Sequence, residues 1–190
     1  MQQEPIVIVS GLPRSGTSMM MKILEAGGLE VLTDNIRTAD EDNPKGYYEF
    51  ERVKKVSEDK EWMPDAMGKV VKIISALLKD LPDDYQYKII FMRRKMEEIL
   101  ASQKQMLIRR GEPTDTVSDD KMTAVFEDHL VKVEKFMAAK PNFDVIYVSY
   151  NDVLVNPLEN IKNVNAFLDN RLDETKMSSV IDKSLHRQRR

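Results

Sequence analysis

The sequence predicts a three-layer α/β domain, with a mainly parallel central sheet of about four or five strands covered by helices on both faces. Three observations predict it. Short, almost wholly apolar runs recur along the chain: PIVIVS, KVVKII, YKIIFM and FDVIYVSY. Runs without polar alternation suit strands buried on both faces, as in a parallel sheet. Amphipathic stretches of helical length separate several of these runs, and strands alternating with helices imply crossovers in a layered α/β domain. Finally, 190 residues of which 42% are hydrophobic suffice for one sizeable core. No repeat, low-complexity tract or linker divides the chain, so residues 1–190 read as a single domain.

The elements follow in order. Residues 5–10, PIVIVS, form the first strand. TSMMMKILEAGG, residues 17–28, reads as a helix that stops at Gly27 and Gly28. LEVL, residues 29–32, is a candidate short second strand. From Thr33 to Phe50 the pattern vanishes, and TDNIRTADEDNPKGYYEF reads as a long polar loop. Loops of that length in a compact domain are usually functional or mobile. A helical stretch is expected from about Glu51 to Asp65. KVVKII and YKIIFM are strands separated by SALLKDLPDDY. KMEEILASQKQMLIRR places Met96, Ile99, Leu100, Met106 and Leu107 at helical spacing. Residues 118–140 form a longer helix with Ser118 as its cap. FDVIYVSY is the last strand, and the helix at 157–170 opens on Pro157. The tail SSVIDKSLHRQRR is basic and fits no pattern.

Composition excludes several function classes. With 29 Lys and Arg against 32 Asp and Glu, the net charge of −3 argues against coating nucleic acid, though a local basic pocket is compatible with it. There are no cysteines, so disulfides, thiolate metal sites and cysteine nucleophiles drop out. The two histidines, His129 and His186, do not make a histidine-rich metal site. His129 falls on the 118–140 helix, away from the expected strand ends, and reads as structural or as surface. MQQEP lacks the positive charge of a signal peptide, and no apolar run approaches the roughly 20 residues that span a bilayer. The expectation is a cytoplasmic protein without a membrane or nucleic-acid partner.

Ligands of such sheets bind beyond the carboxyl ends of the strands. The four best strands deliver SGLPRSGTS, SALL, RRK and YND to that edge. The first of these resembles the nucleotide-binding pattern G-x-x-x-x-G-K-[ST], and the domain is accordingly P-loop-like. Gly11, Gly16 and Ser18 keep the register, but Thr17 stands in place of the lysine, and the positive charge sits earlier, at Arg14. Gly16 lets the backbone wrap an anion closely. Amides from Ser15 to Ser18 at a helix start, helped by the helix dipole, would point at it. Arg14 supplies a multidentate clamp, and Thr17 and Ser18 supply hydroxyls. Nucleotide hydrolysis in this fold also uses a magnesium ion held by a strand-end aspartate. YKIIFM leads into Arg93 and Arg94 instead, which suits an anion without a metal.

At this point the chain resembles the sulfotransferases that use 3′-phosphoadenosine 5′-phosphosulfate (PAPS). GLPRSGTS is similar to that family's loop for the 5′-phosphosulfate, and the resemblance implies donor contacts from Pro13, Arg14, Ser15, Gly16, Thr17 and Ser18. FMRRKMEEILASQ is similar to its 3′-phosphate motif, which implies that role for Arg94 and Ser102, eight residues apart. Lys72 falls where cytosolic members carry a lysine that contacts the sulfuryl group. FDVIYVSYNDVLVNP resembles the family's late strand, with Tyr150 and Asp152 as scaffold.

The resemblance implies transfer of a sulfuryl group from PAPS, as co-substrate and without a metal, to a hydroxyl or amine on a small or macromolecular acceptor. Such transfer needs alignment, charge neutralisation and a base. Arg14, the loop amides, Thr17, Ser18 and Lys72 serve the first two. Cytosolic members place the basic histidine two residues after the lysine, and here that position is Ile74. Other branches use a glutamate shortly after the first helix. That region corresponds to Asp34 and Asn35, which makes Asp34 the first candidate base and Glu49 the second. Tyr47, Tyr48 and Trp62 could belong to a lid or to the core, and the basic tail could close over the donor. Two alternatives stay open: a nucleotide or nucleoside kinase, and a nucleotide-binding protein of this fold without catalysis.

Overall fold

The computed structural model describes residues 4–34, 48–114 and 116–182. Four strands, β1 (Ile6–Gly11), β2 (Val70–Lys72), β3 (Tyr87–Arg93) and β4 (Phe143–Ser149), form one sheet in the order β2-β1-β3-β4. Every pairing is parallel: Val9 lies opposite both Lys72 and Ile90, and Ile90 lies opposite Ile146. All six residues of β1 are buried, which is why its sequence shows no alternation.

Successive side chains of each strand feed two cores. Val7, Val9, Ile90 and Met92 face one core, which is closed by α1 (Thr17–Ala26), α4 (Tyr150–Val155), α5 (Pro157–Phe167) and α6 (Glu174–Ser179). Ile6, Ile8, Ile89 and Phe91 face the other, closed by Val53, Trp62, Met63 and Leu78 together with α3 (Asp119–Ala138). Helix α2 (Met96–Arg110) follows β3 directly. The three-layer architecture and the four delivered strand ends are therefore as the sequence predicts.

Local details depart from expectation. LEVL makes only an isolated bridge, Val31 to Val70, and does not extend the sheet. The stretch expected as a helix from Glu51 to Asp65 is two short 3-10 segments, Glu51–Lys55 and Met63–Ala66. Arg52 of the first segment pairs with Asp59 at 2.6 Å, and the Trp62 indole N–H donates to the Asp59 carbonyl at 3.1 Å. These contacts hold a turn at Asp59, and Pro64 has no N–H with which to continue a helix through it. Helix α4 starts at Tyr150, capped by Ser149 Oγ accepting from the Asp152 amide, so the last strand ends one residue early. Ser118 caps α3 and Pro157 opens α5, as the sequence suggests. Asn35, Tyr47 and the tail from residue 183, with His186, lie outside the described residues.

Candidate active site

The loop between β1 and α1 is shaped by three residues with positive φ: Gly11 at 146°, Arg14 at 71° and Gly16 at 100°. A side chain at Gly11 would lie 2.6 Å from both the Met92 carbonyl oxygen and Ser15 Oγ. One at Gly16 would lie 2.4 Å from Cδ2 of Tyr150. Both positions therefore require glycine on grounds of space as well as conformation. Gly16 caps α1 without a side-chain acceptor, and the first turn holds no acidic residue. The Ser15 amide, expected to face an anion, instead donates to the Leu12 carbonyl at 3.2 Å, while the dipole of this ten-residue helix favours an anion at its start. Ser15 is 1% exposed, and its Oγ has no hydrogen-bond partner among the described residues. A buried hydroxyl without a partner beside a glycine-walled turn fits a group that brings acceptor oxygens. Thr17 and Ser18 sit half-buried in the first helical turn, and Pro13 is exposed.

The second motif reaches the same loop. Arg14 Nε donates to Ser102 Oγ at 2.9 Å, and Arg94 Nη1 donates to the Arg14 carbonyl at 3.1 Å. The carbonyl bond holds Arg14 in its left-handed conformation, which costs of order 1–3 kcal/mol in a residue other than glycine. Arg94 Nε also donates to Glu98 Oε2 at 2.8 Å, with the two side chains 8% and 2% exposed. Asn151 Nδ2 donates to the other oxygen, Glu98 Oε1, at 2.8 Å. The Arg94 guanidinium lies 4.3 Å from the Tyr150 ring centroid, so one aromatic side chain supports both this cation and Gly16. Burial pushes the Tyr150 hydroxyl pKa up, against the opposing pull of Arg94, so it stays neutral at physiological pH.

Sequence reasoning singled out Arg94 and Ser102 of this cluster but not Glu98 and Asn151. A carboxylate four residues after an arginine at a helix start is a readable signal for the first. Asn151 has no local signal, because its partner is 53 residues away.

The remaining candidates are Lys72 on β2 and two carboxylates, Asp34 and Glu49, from other segments. Lys72 is opposite Val9, two residues before Gly11, which puts it beside the loop. Its Nζ is 3.7 Å from Glu49 Oε1, with side-chain exposures of 10% and 20%. Asp34 is differently engaged: its Oδ2 accepts from the Glu51 amide at 2.6 Å, at the start of a 3-10 segment. Its own amide donates to the Glu49 carbonyl at 3.4 Å, and Thr33 Oγ1 donates to the same carbonyl at 2.8 Å. Asp34 thus ties two chain segments together, and Glu49 is the carboxylate turned to Lys72.

Ile74 is 43% exposed just beyond β2. His129 does not lie away from the strand ends: its Nε2 is 2.8 Å from Ser75 Oγ, three residues past Lys72, because α3 packs over the segment Ser75–Asp80. Of the aromatic lid candidates, Trp62 is 1% exposed and belongs to the core. The Tyr48 hydroxyl donates to Glu25 Oε2 at 2.6 Å, anchoring the segment before Glu49 on α1.

No curated protein sequence matches the chain significantly. Among solved structures, the chain is similar to mouse sulfotransferase SULT7A1 complexed with PAP (TM-score 0.55, 15% identity, covering 98% of this chain and 64% of that one). It is likewise similar to sulfotransferase STF1 from Mycobacterium tuberculosis (0.58, 15%, 97% and 76%). STF9 from Mycobacterium avium is a third similar structure (0.54, 14%, 100% and 70%). The chain thus spans about two-thirds to three-quarters of the length of these proteins. At such identities the likeness shows the fold. The family match is more specific, because the sulfotransferase domain matches residues 4–189: this chain belongs to the sulfotransferase family.

Proposed function

We propose that the chain transfers a sulfuryl group from PAPS to a hydroxyl or amine acceptor. One observation carries the reading: the GLPRSGTS loop and the Arg94/Ser102 motif, some eighty residues apart in sequence, meet in one cradle through the Arg14–Ser102 and Arg94–Arg14 hydrogen bonds. The PAP held by the mouse relative supports a doubly phosphorylated adenosine as its occupant. The donor, when bound, supplies the sulfuryl group and its phosphate leaving group. The amides at the start of α1, Ser15, Thr17 and Ser18 hold the 5′ end. Arg94 and Ser102 hold the 3′-phosphate and so distinguish PAPS from ATP. Arg14 must exchange Ser102 for the donor's oxygens, where its guanidinium offsets the charge that builds as the leaving group departs. Lys72 neutralises the sulfuryl oxygens from the β2 side.

The proton acceptor is Glu49. Its carboxylate faces Lys72, whereas Asp34 is committed to the Glu51 amide, so the order of the two candidates is the reverse of the sequence expectation. Ile74 cannot take a proton, and Glu49 fills the role from another element. No observation favours the kinase reading, since Arg93 and Arg94 occupy the region where a metal-binding aspartate is expected. Among the described residues no helix is long and apolar enough to cross a membrane, and we assign the chain to the cytoplasm.

The test is transfer of labelled sulfate from PAPS across a panel of phenols, alcohols, amines and glycans. Transfer by the wild type that Glu49→Gln loses, with donor binding intact, is the expected result. Full activity in Glu49→Gln overturns the assignment of the base. No transfer to any acceptor, despite tight donor binding, favours a binding protein without catalysis.

A further inference from the structure

We propose that Asn151 is a positioning residue for the donor's 3′-phosphate, acting through Glu98 on Arg94; the inference rests on the sulfotransferase reading of the cradle. The chain of contacts is continuous. Asn151 Nδ2 donates to Glu98 Oε1 at 2.8 Å, Glu98 Oε2 accepts from Arg94 Nε at 2.8 Å, and Arg94 Nη1 donates to the Arg14 carbonyl at 3.1 Å. It links the first turn of α4, the first turn of α2, the end of β3 and the phosphate loop.

The physical argument concerns a shared cation. Arg94 is asked to bind a phosphate while a buried carboxylate already neutralises it. Two anions on one guanidinium compete unless the resident carboxylate is restrained and partly compensated elsewhere. Asn151 does both. It pins one oxygen of Glu98, so the carboxylate meets Arg94 through Nε alone and does not swing to take the Nη edge as well. Its amide dipole also draws part of the carboxylate charge away from Arg94. Among the described residues Nη2 of Arg94 makes no contact with an acceptor, which leaves that edge for phosphate oxygens. The 5′ side of the cradle has separate supports, Tyr150 against Gly16 and the α1 amides, so losing Asn151 should fall on the 3′-phosphate.

The test uses the full chain and calorimetry with two ligands, adenosine 3′,5′-bisphosphate and adenosine 5′-phosphosulfate, which lacks the 3′ group. Asn151→Ala is expected to weaken the bisphosphate about tenfold and the phosphosulfate less than about twofold. In turnover it raises KM for PAPS and leaves kcat at saturating donor unchanged. Asn151→Ser keeps a donor of shorter reach, should give an intermediate loss, and serves as the readout if the alanine variant does not fold. Equal weakening of both ligands, or no change in either, overturns the positioning role. A wild-type protein that binds neither ligand defeats the sulfotransferase reading itself, which is a different failure.

Discussion

The two sides of the candidate site are built differently. On the donor side, Arg14, Arg94, Glu98, Ser102 and Asn151 form one hydrogen-bonded cluster around a loop whose shape depends on two crowded glycines. On the acceptor side, Lys72 and Glu49 meet at 3.7 Å across two segments, next to residues that differ from the cytosolic pattern. The contrast separates two tasks. The donor side is preorganised, so its variants should change binding and stability. The acceptor side holds the groups to which we assign charge neutralisation and proton acceptance, so its variants should change rate.

The largest effect should come from Glu49→Gln, which removes the proposed proton acceptor. It should lower kcat by roughly 10²–10⁴ while the affinity for adenosine 3′,5′-bisphosphate holds. Rapid-quench turnover together with calorimetry checks this, and a matched loss of binding would erase the contrast between the two sides. Arg14→Ala comes next, with a loss of roughly 10²–10³ in kcat. Because Arg14 also bonds Ser102, a weaker affinity should accompany it, marking Arg14 as a residue that serves both sides.

Gly16→Ala should act on the donor side alone. The new methyl group meets the Tyr150 ring in a backbone conformation that L-residues avoid, at a cost of roughly 1–3 kcal/mol. Thermal unfolding should register the loss in stability, and calorimetry a weaker anion affinity. Asp34→Asn should have the smallest effect, about 1 kcal/mol of stability from a weaker bond to the Glu51 amide, with donor binding unchanged. If Asp34→Asn instead abolishes turnover with stability intact, the two carboxylates exchange roles.

Arg94→Ala is a poor probe of the 3′-phosphate. It removes the cation paired with Glu98, a carboxylate 2% exposed, at a cost of roughly 3–5 kcal/mol. Asn151→Ala perturbs the same cation while leaving its ion pair with Glu98 in place.

What the sequence revealed follows the range of each interaction. The first strand, the loop and α1 are contiguous, so glycines, cation and helix start announce the anion cradle within a single window. Arg94 and Ser102 are legible because a strand end and the helix after it fix their relation over eight residues. The α3 and α5 starts are legible from Ser118 and Pro157 for the same reason. Asn151 and the Lys72–Glu49 approach depend on segments distant in sequence, and no local pattern encodes them. The pattern from Glu51 to Asp65 misleads because contacts around Asp59 and Trp62 override a helical reading. The placement of His129 depends on how α3 crosses the segment after β2, which periodicity alone does not determine.

The claim under all of this is that the cradle selects an adenosine phosphorylated at both 3′ and 5′ positions and needs no metal to do so. Calorimetry with adenosine 3′,5′-bisphosphate and ATP, each with and without magnesium, tests it most directly. The account predicts at least roughly tenfold tighter binding of the bisphosphate, unchanged by magnesium. Tighter binding of ATP that depends on magnesium would contradict it.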